Sequence, residues 1–250
     1  MSSQRAVGVD IGGTGIKAGI VDLQHGEMVS ERVRVATPEG AAPADVLAAV
    51  QSVLATLGVE DDHDVPLGVA FPAIVKYGKT LSASNVSQDW VDFEAEKFFE
   101  DGLGRNIHFV NDADAAGVAE HRYGAAQGRD GLTIVTTLGT GIGSAFIYDG
   151  VLIPNTELGH LQRKGEKIEA WAAYSAMERE SLSWKKWSAR LQEFYSQVEF
   201  LFSPDLFVVG GGVSKHPEQF LPLLDLATPI VAATHRNAAG IIGAAALAGD

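Results

Sequence analysis

The tetrapeptide Gly-Thr-Gly-Ile occurs twice in this chain, at residues 13–16 and 139–142. Each copy lies between two apolar runs of strand character, so that residues 6–22 and 132–149 read as strand–tight turn–strand units. Glycine lets the backbone turn sharply and approach a ligand with no Cβ in the way. Exposed N–H groups and a threonine hydroxyl can then bind phosphate oxygens. The repeat predicts a duplicated scaffold whose two turns hold one phosphoryl group from both sides; two ordinary glycine hairpins are the simpler alternative.

Other phosphate-binding loops fit these residues poorly. Residues 13–18 match Gly-x-Gly-x-x-Ala, but the dinucleotide fingerprint needs a helix directly after its glycines. Here Ala18–Asp22 has strand character instead. A second stretch ends in Gly78-Lys79-Thr80, but it begins with Ala73 and no helical pattern follows it. We therefore exclude a Walker A loop and disfavour a nicotinamide site.

Length, charge and cysteine content restrict the class of protein. The 250 residues suffice for one large or two modest domains. No cysteine is present, which excludes disulfides and thiolate metal sites and fits a reducing compartment. The net charge of −13 argues against non-specific binding to nucleic acid or to an anionic membrane. With no apolar run of membrane-spanning length and no room for a signal peptide in Met1–Arg5, we expect a cytoplasmic protein.

Strand and helix patterns alternate along the chain, which favours an α/β fold. The periodicity predicts helices over residues 43–57, 93–100, 113–122, 169–178, 184–202 and 238–247, and strands over 32–35, 67–71, 107–110 and 206–209. Gly58 and Gly102 are expected to end the first two helices, and residues 151–167 to form a polar loop. The best boundary lies near residue 111. It divides the chain into a small lobe of residues 1–110, completed by a C-terminal helix over 236–250, and a large lobe of 111–235.

Asn111-Asp112 follows a predicted strand and opens a predicted helix. Ligands of α/β sheets bind at the carboxyl ends of strands. Asp112 could accept the proton of a substrate hydroxyl during phosphoryl transfer, which needs little beyond a base, magnesium and positioning. Its alternative role is that of a helix N-cap.

Glu157, His160 and Glu169 are candidates for binding a polyol. Carboxylate and imidazole groups both hydrogen-bond vicinal hydroxyls, whereas a metal is disfavoured because no cysteine or second histidine lies nearby. Taken alone, Glu169 reads as an acid placed at a helix N-terminus by the macrodipole.

Two further features have both a functional and a plain interpretation. Gly210-Gly211-Gly212 follows a buried strand, where it could lie against a nucleotide base or ribose, or simply form a tight turn. A basic cluster within 28 positions could guide a long anion or be a solvated helix face. Its members are Arg163, Lys164, Lys167, Arg179, Lys185, Lys186 and Arg190.

Taken together, these motifs resemble those of the sugar kinases of the repressor, open-reading-frame and kinase (ROK) family, in the same order and over residues 6–247. The motifs that carry the resemblance are 10–19, 111–116, 138–143, 157–160 and 210–212. The resemblance implies the two-lobe, actin-like (ribonuclease H-like) ATPase fold. Most of that family carries a cysteine-rich zinc motif that Leu161–Ile168 lacks, so no zinc is expected. The cysteine-free members that the chain resembles are polyphosphate glucokinases and polyphosphate/ATP glucomannokinases.

This resemblance implies phosphorylation of glucose, and of mannose, at the 6-hydroxyl, with inorganic polyphosphate or ATP as donor and with Mg²⁺. Asp112 would be the catalytic base, and Asp10 would organise Mg²⁺. The sugar would contact Asn85, Asn111, Asp112, Glu157, His160 and Glu169. The donor phosphates would contact Asp10, Gly12, Gly13, Thr14, Lys17, Thr140 and Gly141, and Gly211 and Gly212 would flank adenosine. A homodimer is expected by analogy.

Three alternatives stay open at this point. An ATP-only ROK kinase for another hexose or an N-acetylhexosamine is the nearest one. A repressor of the same family would need a helix-turn-helix before the first strand, where only five residues stand. An actin-like assembly protein would form filaments with nucleotide.

Overall fold

A computed structural model describes residues 5–83 and 86–250 of the chain, which divide into two compact units. Unit 1 runs to Ala119 and resumes at Ala238, and unit 2 is Glu120–Asn237. The contact boundary thus falls nine residues beyond the sequence-based division at 110/111. Among the described residues, the helices are too short or too polar to cross a bilayer.

Unit 1 contains eight strands among its described residues. They are β1 Arg5–Gly12, β2 Gly15–Asp22, β3 Glu27–Met28, β4 Val33–Val35, β5 Leu67–Phe71, β6 Val75–Lys76, β7 Lys79–Thr80 and β8 His108–Asn111. The main sheet has the order β3-β2-β1-β5-β8, with β4 also paired to β2, while β6 and β7 form a separate hairpin. β1 and β2 are antiparallel, and β5 and β8 run parallel to β1.

Unit 2 repeats this arrangement. Its strands are β9 Leu132–Leu138, β10 Ile142–Tyr148, β11 Val151–Ile153, β12 Gln162–Arg163, β13 Glu166–Lys167, β14 Leu206–Gly210 and β15 Ile230–Ala232. The sheet order β11-β10-β9-β14-β15 matches that of unit 1 strand for strand, with an antiparallel hairpin followed by two parallel strands. The predicted duplication of the strand–turn–strand scaffold is confirmed.

The helices cover the sheets. They are α1 Pro43–Leu57, α2 Ala95–Leu103, α3 Asp112–Tyr123, α4 Glu169–Ala172, α5 Tyr174–Arg179, α6 Trp184–Phe202 and α7 Ala239–Ala248. The bounds of α1 and α6 are those predicted. Proline at the start of α1 and Gly58 with φ +68° at its end explain why its limits are readable from sequence.

The C-terminal helix α7 packs against the first sheet with no room between the backbones. A Cβ on Gly8 would collide with the carbonyl of Ile241, and one on Gly68 with the carbonyl of Ala244. On its other side, Gly243 lies against the carbonyl of Ala115. These glycines let α7 lie directly on β1, β5 and α3.

Three sequence-based expectations need correction. α2 ends at Gly104, with φ +66°, and not at Gly102, which stays helical and faces the side chain of Leu47. The polar stretch 151–167 contains three short strands and a 3₁₀ turn. The helix predicted over 169–178 is broken at Ala173, whose ψ of 160° is extended.

Candidate active site

The carboxyl ends of β1, β5 and β8 meet at one edge of the first sheet because these strands are parallel. The turn Gly13-Thr14 leaves β1 at this edge and is exposed, with Gly12 paired to Gly15 beneath it. The Arg34 guanidinium donates to the carbonyl of Thr14 at 3.0 Å. Exposed backbone beside a cation is suited to binding phosphate.

Asp10 lies two residues before this turn, and its Oδ2 pairs with Nζ of Lys17 at 3.0 Å across the β1–β2 hairpin. Its side chain is 15 % exposed, and the start of α7 at Gly240 packs against its carboxylate. No cluster of three or more potential His, Asp or Glu metal ligands occurs within residues 5–83 and 86–250. Magnesium is commonly held by one or two carboxylates with water and substrate phosphates. The Asp10 carboxylate fits such a site.

Asn111 and Asp112 stand at the end of β8 and the start of α3. Oδ1 of the buried Asn111 accepts hydrogen bonds from the N–H groups of Ala113 and Asp114 at 2.8 and 3.0 Å, and its Nδ2 donates to the carbonyl of Ala73. Asn111 therefore caps the helix and ties it to the segment after β5. The half-buried Asp112 accepts from Ala113 N through Oδ1 at 2.8 Å. This places its carboxylate at the same edge as the first turn.

The second turn, Gly139-Thr140-Gly141, joins β9 to β10. Ser175 at the start of α5 fixes it, since its N–H donates to the carbonyl of Gly139 at 3.0 Å and its hydroxyl donates to the carbonyl of Thr140 at 2.6 Å. Thr140 itself is exposed. The turn is therefore held from one side and open on the other.

The glycine run after β14 lies next to this turn. Gly211 has φ +81°, and a Cβ there would collide with the backbone of Leu138, the last residue of β9. Here the backbone itself requires glycine. A Cβ on Gly212, in contrast, would meet no atom within 4 Å. The tight-turn interpretation accounts for Gly211, while Gly212 presents an open backbone surface.

Glu157, His160 and Glu169 come together in unit 2, as the sequence predicted for a polyol site. His160 Nε2 lies 3.7 Å from Oε2 of Glu157 and 3.8 Å from Oε1 of Glu169. Lys167 joins them, with its Nζ 2.8 Å from His160 Nε2 and 3.9 Å from Oε1 of Glu169. We call these four residues the carboxylate–imidazole cluster.

Glu169 connects this cluster to the second turn. Its Oε2 accepts from the N–H of Ile142 at 3.1 Å. A Cβ on Gly141 would lie 2.5 Å from the same oxygen, and one on Gly159 would lie 2.8 Å from it. The carboxylate is thus enclosed by the turn and by the 157–160 segment, so the second turn and the carboxylate–imidazole cluster share one side chain.

Ionising the Glu157 carboxyl within this cluster costs free energy. Burial raises the pKa of the Glu157 carboxyl above its usual value; Glu169 raises this pKa further, whereas His160 and Lys167 lower it. A carboxyl whose pKa is raised by folding stabilises the fold below its unfolded pKa, and that contribution is lost as the pH rises through the folded pKa.

We therefore expect Glu157→Gln to have a higher Tm than the wild type at pH 8, with a difference that shrinks as the pH falls toward 4. Thermal unfolding followed by circular dichroism across this range measures it. Glu166→Gln, on the exposed β12–β13 hairpin, is the charge-matched control. A difference in Tm that is independent of pH would contradict the expectation.

The basic cluster named from the sequence divides into three groups. Its arginines are engaged in protein contacts: Arg163 with Glu193, Arg179 with the carbonyl of Ala170, and Arg190 with Glu180. Lys164, Lys185 and Lys186 are exposed. Lys167 belongs to the carboxylate–imidazole cluster. The basic cluster of the sequence therefore consists of arginines in structural contacts, three exposed lysines and Lys167.

Sequence reasoning missed two residues of this region, Arg34 and Lys167. Arg34 carried no motif, and Lys167 was recognised only as part of the basic cluster. The structure locates Arg34 through the pairing of β4 with β2, which sets Arg34 opposite Lys17 beside the first turn. Asn85 lies outside the described residues.

Comparison with known proteins identifies the relatives of this chain. The model of the ROK family matches residues 6–169. The polyphosphate glucokinase of Mycobacterium tuberculosis is 41% identical over 245 residues, which cover 98% of this chain and 91% of that protein.

Two crystal structures extend the comparison. The inorganic polyphosphate/ATP-glucomannokinase of Arthrobacter sp. strain KM has a TM-score of 0.92 and 52% identity, with 96% of each chain covered. A ROK family glucokinase from Streptomyces griseus, in complex with glucose and AMPPNP, has a TM-score of 0.82 and 26% identity, with 98% of this chain and 99% of that chain covered. The actin-like ATPase fold of ROK sugar kinases is therefore the fold of this protein. The family model matches more than half of the chain, and the mycobacterial relative matches nearly all of it. The chain therefore belongs to the ROK family.

Proposed function

We propose that this protein is a glucokinase that transfers a phosphoryl group from inorganic polyphosphate or ATP to the 6-hydroxyl of glucose, and of mannose. The names of its relatives support the donors and the sugars. The observation that carries the proposal is the contact of Glu169 with both the second turn and the carboxylate–imidazole cluster. A sugar kinase needs hydroxyl-binding and phosphate-binding groups side by side.

Each predicted residue has a role in this reaction. Asp112 accepts the proton of the 6-hydroxyl as that oxygen attacks the terminal phosphorus. The sugar hydroxyls are bound by Glu157, His160 and Glu169, with Asn111 and Asn85 contributing. The donor phosphates are bound by Gly12, Gly13, Thr14, Lys17, Thr140 and Gly141. Gly211 and Gly212 line the adenosine position when ATP is the donor.

The two glycine-threonine turns contribute by stabilising negative charge on the transferred phosphoryl group. The transition state spreads negative charge over the equatorial oxygens. Prearranged N–H donors at such oxygens contribute roughly 3–4 kcal/mol each where they have been measured. Asp10 and the donor phosphates would hold Mg²⁺, which would neutralise further phosphate charge when bound. Lys17 keeps the Asp10 carboxylate oriented through their ion pair.

A donor assay on the purified protein tests the proposal. We expect glucose 6-phosphate to form from long-chain polyphosphate with no nucleotide present, and also from ATP. Product from ATP alone would replace the proposal with the ATP-only alternative. Glucose, mannose, fructose and N-acetylmannosamine, each tried with both donors, then define the sugar range.

Arg34 is expected to strengthen donor binding. Its guanidinium contacts the first turn, and this cation lies at a phosphate-binding position in a protein of net charge −13. Arg34→Met should raise the KM of either donor about fivefold, because an exposed charge pair contributes at most roughly 1 kcal/mol. Steady-state kinetics with varied donor measure this, and the glucose KM should not change.

Arg32→Met is the matched control, since it removes an exposed positive charge just before the same strand. Equal effects of the two variants would mean that only the overall charge matters, and would remove Arg34 from the donor site.

A homodimer and a cytoplasmic location complete the proposal. The homodimer rests on the resemblance to the ROK sugar kinases, and the cytoplasmic location rests on the expectation drawn from the sequence. Sedimentation equilibrium of the purified protein decides the oligomeric state.

A further inference from the structure

Two guanidinium groups lie over the indole of Trp171. The Cζ atom of Arg163 is 3.5 Å from the ring centroid, and that of Arg190 is 5.1 Å from it. Both distances are within the range of cation–π attraction, and tryptophan is the aromatic residue that binds cations best. Trp171 is the only large side chain of α4, the four-residue helix that begins with Glu169.

Each arginine is fixed by further contacts. Arg163 binds the Glu193 carboxylate in a bidentate manner, with Nε–Oε1 at 2.7 Å and Nη2–Oε2 at 3.3 Å. Arg190 donates to the carbonyl of Trp171 at 2.7 Å and to the Glu180 carboxylate, with Nη1–Oε1 at 3.1 Å. Bidentate arginine–carboxylate pairs fix orientation as well as charge.

These contacts connect the long helix α6 to the short helix α4. Arg190 and Glu193 belong to the 19-residue helix α6, which is anchored in the core by Trp187 and Leu191. Helix α4 has a single turn and no side-chain cap, so it cannot hold its own shape. Its position must come from tertiary contacts.

The same contacts reach the carboxylate–imidazole cluster by a second route. Arg163 lies on β12, and its partner strand β13 carries Lys167. Lys167 contacts His160 and Glu169. The stretch Leu161–Ile168 contains no cysteine, so its fixation depends on packing and on these charged groups.

We propose that Arg163, Trp171 and Arg190 form a positioning device, the arginine brace, which holds Glu169 and Lys167 in place for the sugar. The inference rests on the proposed sugar-binding role of Glu169. The brace residues do not touch the reacting atoms; they act through Glu169. Loosening the brace therefore lowers the affinity for the sugar and leaves donor binding and the chemical step largely unchanged.

Trp171→Ala tests this directly. We expect the glucose KM to rise at least tenfold, while the KM of ATP and of polyphosphate and kcat at saturating glucose stay within about twofold. Trp171→Phe should keep most of the affinity, because a phenyl face still attracts a guanidinium. Arg163→Met should raise the glucose KM about fivefold, with Arg163→Lys intermediate, since lysine keeps the charge but not the planar fork.

Trp184→Ala is the matched control, because it removes an equally large indole that stacks on Phe220 in the same unit. It should lower the Tm without changing the glucose KM. Should Trp171→Ala not fold, the Arg163 series measures the same split. An unchanged glucose KM in Trp171→Ala and Arg163→Met, or an equal rise in Trp184→Ala, would overturn the brace. Failure of the proposed function would instead appear as no sugar phosphorylation by the wild type with any donor.

Discussion

Asp112→Asn is expected to lower kcat for glucose by about 10²–10⁴-fold, the usual contribution of a general base. The amide can no longer take the proton of the attacking hydroxyl. It can still accept the hydrogen bond from the N–H of Ala113 that the carboxylate accepts at 2.8 Å. The start of α3 and the capping contacts of Asn111 should therefore survive. The loss should appear in turnover and not in folding.

Three measurements separate these effects. Coupled detection of glucose 6-phosphate gives kcat, calorimetric titration gives the affinity for glucose, and circular dichroism gives the Tm. Asp45→Asn is the control, because Asp45 is likewise an acid in the first turn of a helix of unit 1. Turnover near the wild-type value in Asp112→Asn would remove this carboxylate from the mechanism.

The sequence predicted those elements whose limits are set by local chemistry. Proline at the first position of α1 and a left-handed glycine after its last residue fix both ends without any tertiary information. The duplicated hairpins were equally readable, since apolar strands flank a glycine-threonine turn in each. The positions of the candidate residues Asn111 and Asp112, at the end of a strand, could be predicted for the same reason.

The limits of elements that depend on contacts distant in sequence could not be predicted. The end of α2 was placed at Gly102 because glycine commonly ends a helix. In the structure, Gly102 serves to let Leu47 approach, and Gly104 is the residue that takes the left-handed conformation. The pattern contains two glycines, and only packing against α1 shows which one is the cap.

Short polar strands were missed for a related reason. The hairpin β12–β13 turns at Lys164 and Gly165, which have φ of +51° and +85°. A two-residue turn of this kind is a recognisable hairpin signal. Its flanking residues are polar, however, so no hydrophobic alternation marks the strands. As a consequence Lys167 was read as one member of a basic run and not as a neighbour of His160.

The second large effect is expected from a single methyl group at Gly141. Gly141→Ala would place Cβ 2.5 Å from Oε2 of Glu169, so the carboxylate has to leave the N–H of Ile142. Glu169 then loses its orientation toward both His160 and the sugar. Hydrogen bonds to a charged group contribute about 1.5–3 kcal/mol each. Losing one or two of them corresponds to a fall of about 10–100-fold or more in kcat/KM for glucose.

Gly139→Ala provides the matched control, since it adds the same methyl group to the same turn. A Cβ on Gly139 meets no protein atom within 4 Å, so it leaves Glu169 undisturbed and reaches only the open side of the turn.

We expect Gly139→Ala to raise the donor KM several-fold and to leave the glucose KM within about twofold. Steady-state kinetics with each substrate varied in turn resolve the two patterns. Equal losses for both substrates in both variants would mean that the turn acts as one rigid unit and that Glu169 does not separate hydroxyl binding from phosphate binding. The opposite responses expected here follow from one geometric fact: within a three-residue turn, one glycine faces the Glu169 carboxylate and the other faces open space.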